Sequence, residues 1–382
     1  MDFGEFALPY GIFSTDGTDR RVGVAIGTQV LDLAACWEQA GRDAAAFRTP
    51  SLNAFMASGR PAWDQTRTEL LRLLAEQREA LSPHLVPAGQ VHVHLPIEVA
   101  DYIDFYASEE HATNLGKVFR PNGDPLTPNW KHLPIGYHGR SGTVVVSGTA
   151  VTHPSGQLKG PDDPTPTFGL SRRLDIETEL GWIVGTPSTQ PVPLDRGEDH
   201  LFGAVILNDW SARDIQAWEY VPLGPFLGKS FATSISAWVL PMAALTGARV
   251  DLPPRSVPLL DYLAGPSQGF DITIEVEWNG TVISHCPAAQ LYWSPAQMIA
   301  HLTVNGATMR TGDLFGSGTI SGPAVTQRGS LLELTWNGTD PVQLQGEPRT
   351  YLRAGDEIVM RAQAPGPTGT TVALGECRGT IR

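Results

Sequence analysis

The chain has 382 residues, 41% of them hydrophobic, and sets 40 acidic against 27 basic side chains for a formal charge of −13. That length suggests two domains with ample apolar content for a large core, and so acidic a balance leaves no basic stripe to neutralise nucleic-acid phosphates. No run is long and apolar enough to span a membrane, the opening Met1-Asp-Phe-Gly-Glu-Phe6 lacks the features of a secretion signal, and Cys36, Cys286 and Cys377 share no close spacing, so a cytoplasmic protein without disulfide framework or zinc site is expected.

Taken in chain order, residues 22–26 and 30–33 read as short strands, and residues 63–80 as a helix whose Leu70, Leu71 and Leu74 line an apolar stripe. The segment 82–89, Ser-Pro-His-Leu-Val-Pro-Ala-Gly, reads as a linker. It divides the chain into a small amino-terminal unit, residues 1–90, and a large remainder, residues 91–382. The remainder runs in short apolar stretches broken by glycine and proline, of which the chain has 40 and 31, so the pattern predicts a mainly β architecture with long loops.

Four carboxylates stand out within that remainder. Asp104 is embedded among aromatic and apolar neighbours in residues 101–106, which predicts at least partial burial. Residues 174–184 read as a strand in which Glu177 and Glu179, two apart, point to one face. Two like charges that close are either fully solvated or hold a cation between them. Residues 204–207 read as a buried strand opening into a loop at Asp209. Together Asp104, Glu177, Glu179 and Asp209 make an all-oxygen, hard-ligand set, which selects Mg²⁺ or Ca²⁺ over zinc or copper. After Asp209, Ser211 is expected to cap a helix with Asp214 in a capping-box-like position. Arg213, Gln216 and Tyr220 fall at i, i+3 and i+7 and share one face of it, and Pro222 ends it. A lone amphipathic helix with a solvated face would leave the same pattern.

The segments Asp104-Phe-Tyr-Ala-Ser-Glu-Glu-His-Ala-Thr-Asn114, Leu133-Pro-Ile-Gly-Tyr-His-Gly-Arg140, Asp175-Ile-Glu-Thr-Glu179, Asn208 to Tyr220, Val221-Pro-Leu-Gly-Pro-Phe-Leu-Gly-Lys-Ser-Phe231 and Gly318-Thr-Ile-Ser-Gly-Pro323 together resemble the fumarylacetoacetase family, in collinear order over nearly the whole chain. The resemblance implies a small SH3-like β-barrel amino-terminal domain and a large mixed β-sandwich roll that carries the active site and forms a homodimer. It implies a metal-dependent hydrolase that splits a diketo acid, 4-fumarylacetoacetate, into fumarate and acetoacetate. An acylpyruvase of the same superfamily and a non-catalytic metal-binding scaffold are the alternatives.

Residue roles follow from the same resemblance. The water-activating base falls on His111, in a segment that Ser108 can open as a helix, where the dipole would keep the imidazole neutral. The carboxylate orienting it falls on Glu333, which by pattern is the polar position of an alternating strand over residues 331–336. Arg213, Gln216 and Lys229 are the implied oxyanion donors, and the fold has no evident need for a guanidinium at 213. Lys229 and Thr233 are placed near the metal and its waters, and Tyr106, Arg120, Tyr220 and Thr319 on the substrate, with Tyr137 a further pocket residue. Arg120 suits an anionic terminus because guanidinium grips carboxylate bidentately. The loop at residues 121–129 matches no motif.

Overall fold

The computed structural model describes residues 2–382. At its centre is the strand Leu201–Asp209, buried at all nine positions, paired antiparallel with the equally buried Thr178–Val184 from Thr178↔Asn208 to Val184↔Leu201. Unbroken apolar sequence suits a strand covered on both faces. Alternation then divides its side chains between two cores: Ala204 and Ile206 join the cluster of Trp182, Trp210, Phe270 and Trp278, while Val205 and Leu207 join that of Tyr10, Phe55, Trp63 and Leu70. Each large apolar side chain so buried contributes about 1.5–3 kcal/mol.

From this pair the sheet extends both ways. Thr178–Val184 pairs with Leu314–Gly316, which runs parallel to Tyr102–Phe105, which in turn pairs with Gly136–His138. That order gathers Asp104, Tyr137, Gly316, Glu179 and Asp209 on neighbouring strands. In the other direction Leu201–Asp209 pairs with Trp238–Pro241, and that with Tyr10–Ser14, followed by Arg21–Ile26, Gln29–Asp32 and Leu85–Pro87. A 13-stranded mixed sheet therefore continues from the amino-terminal segment into the site-bearing one. A four-stranded antiparallel sheet, in the order Thr281–Pro287, Thr273–Trp278, Glu357–Pro365, Thr371–Thr380, contributes Ile274, Trp278, Met360 and Leu374 to the first core. The architecture is mainly β, and among the described residues no strand path closes into a barrel.

Several local expectations are corrected. The helix expected over 63–80 is Arg60–Glu76, broken at Gln77 from a short helix Arg78–Leu81, with Leu70 buried as its stripe requires. The segment 82–89 is no mere linker, since Leu85–Pro87 pairs with Gln29–Asp32 as an edge strand. An edge tolerates Pro87 because one side of the strand needs no ladder donor. Ser211 does not cap the helix Arg213–Glu219; its hydroxyl donates to the Asp209 carbonyl, and Asp214 accepts from Ser171 Oγ and the Arg172 N–H. The reason is that Ser211–Ala212 is already committed as a strand to Leu174–Asp175. Residues 331–336 are not a strand: Leu331–Leu334 is one helical turn capped by Ser330.

Candidate active site

Asp104, Glu177, Glu179 and Asp209 converge as expected, each offering an oxygen within 4.8 Å of the others, and all four are buried. The strands bring them there: Asp104 lies opposite Gly316, and Glu179 and Asp209 sit near the ends of the central pair. Gly316 is what lets the carboxylates meet, since a Cβ there would stand 2.7 Å from Glu179 Oε2 and 3.2 Å from Asp104 Oδ1. The Gly318 N–H donates to Glu179 Oε2 at 3.0 Å.

The four are not equivalent. Burial, opposed and outweighed by Lys229 and Arg213, leaves the Glu177 carboxyl at about 2. Burial and the neighbouring carboxylates push Asp104 and Glu179 well above the usual range. Among the described residues neither has a basic partner within ion-pair reach, and Asp104 Oδ1 and Glu179 Oε1 are buried without any hydrogen-bond partner. Orphaned acceptors are costly to bury, and a hard divalent cation among them would satisfy both their lone pairs and their charge. The donor set therefore fits such an ion.

Lys229 donates to Glu177 and, at 2.7 Å, to Asp209 Oδ2, so its ammonium neutralises the other half of the quartet. Thr233 Oγ1 donates to Asp209 Oδ1 at 2.9 Å, and the Tyr137 hydroxyl to Asp209 Oδ2 at 3.3 Å. The buried Tyr102 hydroxyl has no partner among the described residues, and its strand neighbour two residues on is Asp104. That spacing alone could have put it on the carboxylate face.

His111 is the third residue of the helix Glu109–Phe119, whose cap Ser108 accepts the His111 N–H. Its Nδ1 lies 2.7 Å from Glu333 Oε2, and both side chains are buried. The Glu333 carboxylate also accepts from Asn114 Nδ2 at 2.9 Å, Ser330 Oγ at 2.9 Å and Ser321 Oγ at 3.0 Å. Burial would raise this carboxyl, but His111 and these donors together hold it below its usual value. An ionised Glu333 accepts the Nδ1 proton, which fixes the tautomer and leaves Nε2 free. The Tyr106 ring stands edge-on to the imidazole at 5.3 Å. Two cues to this half of the site lay in the sequence: Asn114 follows His111 by three helical positions, and Ser330-Leu-Leu-Glu333 is a Ser-x-x-Glu helix start.

Arg213 is buried and, against expectation, bound into the fold. Its Nε donates to Asp175 Oδ2 at 2.7 Å, and its Nη1 meets Glu177 Oε1 at 2.7 Å and Gln216 Oε1 at 3.3 Å. Among the described residues Nη2 is buried without a partner, as is Thr319 Oγ1. Tyr220, at the end of the same helix, is exposed. Arg120 closes the His111 helix and donates to the carbonyls of its own loop, Asp124 at 3.5 Å and Pro125 at 2.7 Å. It still lies within electrostatic reach of the Tyr106 phenol, as do Glu333, Glu177 and Arg213. The 121–129 loop is seated on the His111 helix at Gly116, where a Cβ would overlap the Pro125 carbonyl.

A mainly β scaffold that buries a carboxylate quartet beside a histidine–glutamate pair defines an enzyme with a cation pocket next to an acid–base group. Residues 102–382 match the family model described as fumarylacetoacetate hydrolase C-terminal, and residues 7–96 that of fumarylacetoacetase N-terminal. The fumarylacetoacetase of Homo sapiens is 42% identical over 403 residues, covering all of this chain and 96% of that protein, and that of Arabidopsis thaliana is 43% identical over 98% of this chain and 94% of its own. The chain belongs to the fumarylacetoacetase family. Its fold is shared with a solved fumarylacetoacetate hydrolase from Exiguobacterium antarcticum, at a TM-score of 0.61 and 15% identity over 98% of this chain and 99% of that one. Among the described residues no helix is long and apolar enough to cross a membrane.

Proposed function

We propose that the protein hydrolyses 4-fumarylacetoacetate to fumarate and acetoacetate, the last step of tyrosine and phenylalanine breakdown through homogentisate. The observation that carries the reading is a buried carboxylate quartet whose Glu177 lies within electrostatic reach of the buried, Glu333-paired His111, in a chain of this family. Asp104, Glu177, Glu179 and Asp209 would hold a divalent cation, Mg²⁺ or Ca²⁺ by the hardness of the set, which when bound would supply Lewis acidity for the departing acetoacetate.

The chain's own groups do the rest. His111 Nε2 takes a proton from water, and Glu333 stabilises the imidazolium that results. The water oxygen adds to the ketone carbon of the fumaryl side, whose oxygen gains negative charge. Arg213 Nη2, the Gln216 amide and Lys229 are the donors to that oxygen, each such donor worth about 2.7–4 kcal/mol. When the carbon–carbon bond breaks, its electron pair goes to the acetoacetate carbon, and the proton held by His111 completes the product. Arg120 receives an anionic end of the substrate, and Tyr106, Tyr137, Tyr220 and Thr319 line it, while Thr233 steadies Asp209 beside the cation.

In the same reading residues 1–90 form an SH3-like unit spliced to the catalytic roll of residues 91–382, the protein is cytoplasmic, and two copies associate. Val221, Leu223, Phe226 and Leu227 stand exposed after the Arg213 helix, an apolar face that a second copy would cover. Loss of diketone absorbance, followed with fumarylacetoacetate and with simple acylpyruvates side by side, tests the function. Preference for the acylpyruvates would make the enzyme an acylpyruvase, and no turnover of either would leave a metal-binding scaffold.

A further inference from the structure

We propose that Asp175 is a positioning residue that locks Arg213 and the His111–Glu333 pair into a single arrangement; this rests on the hydrolytic reading above. Asp175 is buried in the two-residue strand Leu174–Asp175, paired with Ser211–Ala212 directly ahead of the Arg213 helix. Its carboxylate accepts four hydrogen bonds. Oδ1 takes the N–H groups of Ile176 at 2.7 Å and Leu331 at 2.6 Å, and Oδ2 takes the Leu332 N–H at 3.1 Å and Arg213 Nε at 2.7 Å. Leu331 and Leu332 are the first two residues of the turn whose third residue is Glu333. One side chain thus grips an oxyanion donor with one oxygen and the backbone that aims the imidazole's partner with both.

The geometry says what is transmitted. The Arg213 fork is planar, so pinning its Nε and Nη1 edges on Asp175 and Glu177 leaves Nη2, buried and without a partner among the described residues, as the vacant donor in a fixed direction. Without Asp175 the fork is held on one edge only. On the other side, the Leu331 and Leu332 N–H groups have no intrahelical acceptor in so short a turn. Asp175 satisfies both, and with Ser330 on the Glu333 N–H the register that delivers Glu333 to His111 is set. Arg213 and the turn that carries Glu333, far apart in sequence, share one anchor.

Asp175→Asn is the test, because it keeps the shape yet turns an amide N–H₂ toward two donors whichever way it is flipped. Turnover should fall on the order of 10²-fold, the value of one lost preorganised donor, with cation affinity unchanged. The deciding measurement is the same substitution in other backgrounds. Its penalty on kcat should shrink in Arg213→Met and in Glu333→Gln, and vanish when both are present. Asp175→Glu should recover part of the loss by restoring the carboxylate. The same factor in every background, or failure of both variants to fold, would make Asp175 a structural residue and overturn the proposal. A natural-sequence protein inactive on every diketo acid sinks the functional reading and this inference with it. An active one with an additive cycle sinks this inference alone.

Discussion

His111 Nδ1 and Glu333 Oε2 lie 2.7 Å apart, although 222 positions separate them in the chain. Both side chains are buried, so bulk water does not compete for the hydrogen bond between them. His111→Ala should lower kcat on the order of 10²- to 10⁴-fold, the range for a positioned base. Glu333→Gln should cost less, since it removes the charge and keeps the shape. In the double variant the loss should approach that of His111→Ala alone, because an orienting group then has nothing to orient. Additive losses in steady-state kinetics would remove His111 from the role.

The same pair makes a pH prediction. The Glu333 carboxyl is held below its ordinary value in the folded protein, so the stability it contributes is present above about 4.5 and lost as pH falls through the lower folded value. The difference in urea-unfolding free energy between the natural sequence and Glu333→Gln should be largest near neutral pH and shrink below about pH 4 to a pH-independent remainder. A difference that grows on acidification would contradict the assignment.

Arg213→Met should now cost stability as well as turnover. The guanidinium is paired with Asp175 and Glu177, and its removal leaves a buried carboxylate uncompensated, worth about 3–5 kcal/mol. Denaturant unfolding checks this. Unchanged stability would mean that the Asp175 network closes without the arginine.

Chelation should abolish turnover, and adding back Mg²⁺ or Ca²⁺ should restore it and raise Tm by mass action on the folded state. Glu177→Gln should weaken the binding while the chain still folds. Full activity in the metal-free protein would reduce the quartet to a structural feature.

Gly316→Ala isolates the packing of that quartet. The new methyl group would crowd the tip of Glu179, a flexible atom that can move, so Tm without cation should change little. Cation affinity, read by titration calorimetry, should fall about 10- to 100-fold, as for other shifts in ligand orientation. Unaltered affinity would show that the carboxylates have slack.

Much of the site was legible because its residue types are chemically conspicuous. Four acids with no soft ligand near already form, before any fold is known, a set that could hold a hard cation, and the structure brings them together. What misled was local pattern without its partners. Leu331-Leu-Glu-Leu334 alternates like a strand, yet Ser330 and the Asp175 carboxylate satisfy the N–H groups of a helical turn instead. Ser211 looks like a helix cap, but its backbone is already used by Leu174–Asp175.

The sequence by itself determined the mainly β class, the buried central strands and the carboxylate set, because apolar runs and charges in apolar surroundings carry their own physical consequence. Only the tertiary structure decided that Arg213 is an ion-paired part of the fold with its Nη2 left vacant among the described residues, that Glu333 sits on a helical turn, and that the amino-terminal strands continue the central sheet. Those features depend on pairings between segments far apart in the chain, for which local periodicity holds no record.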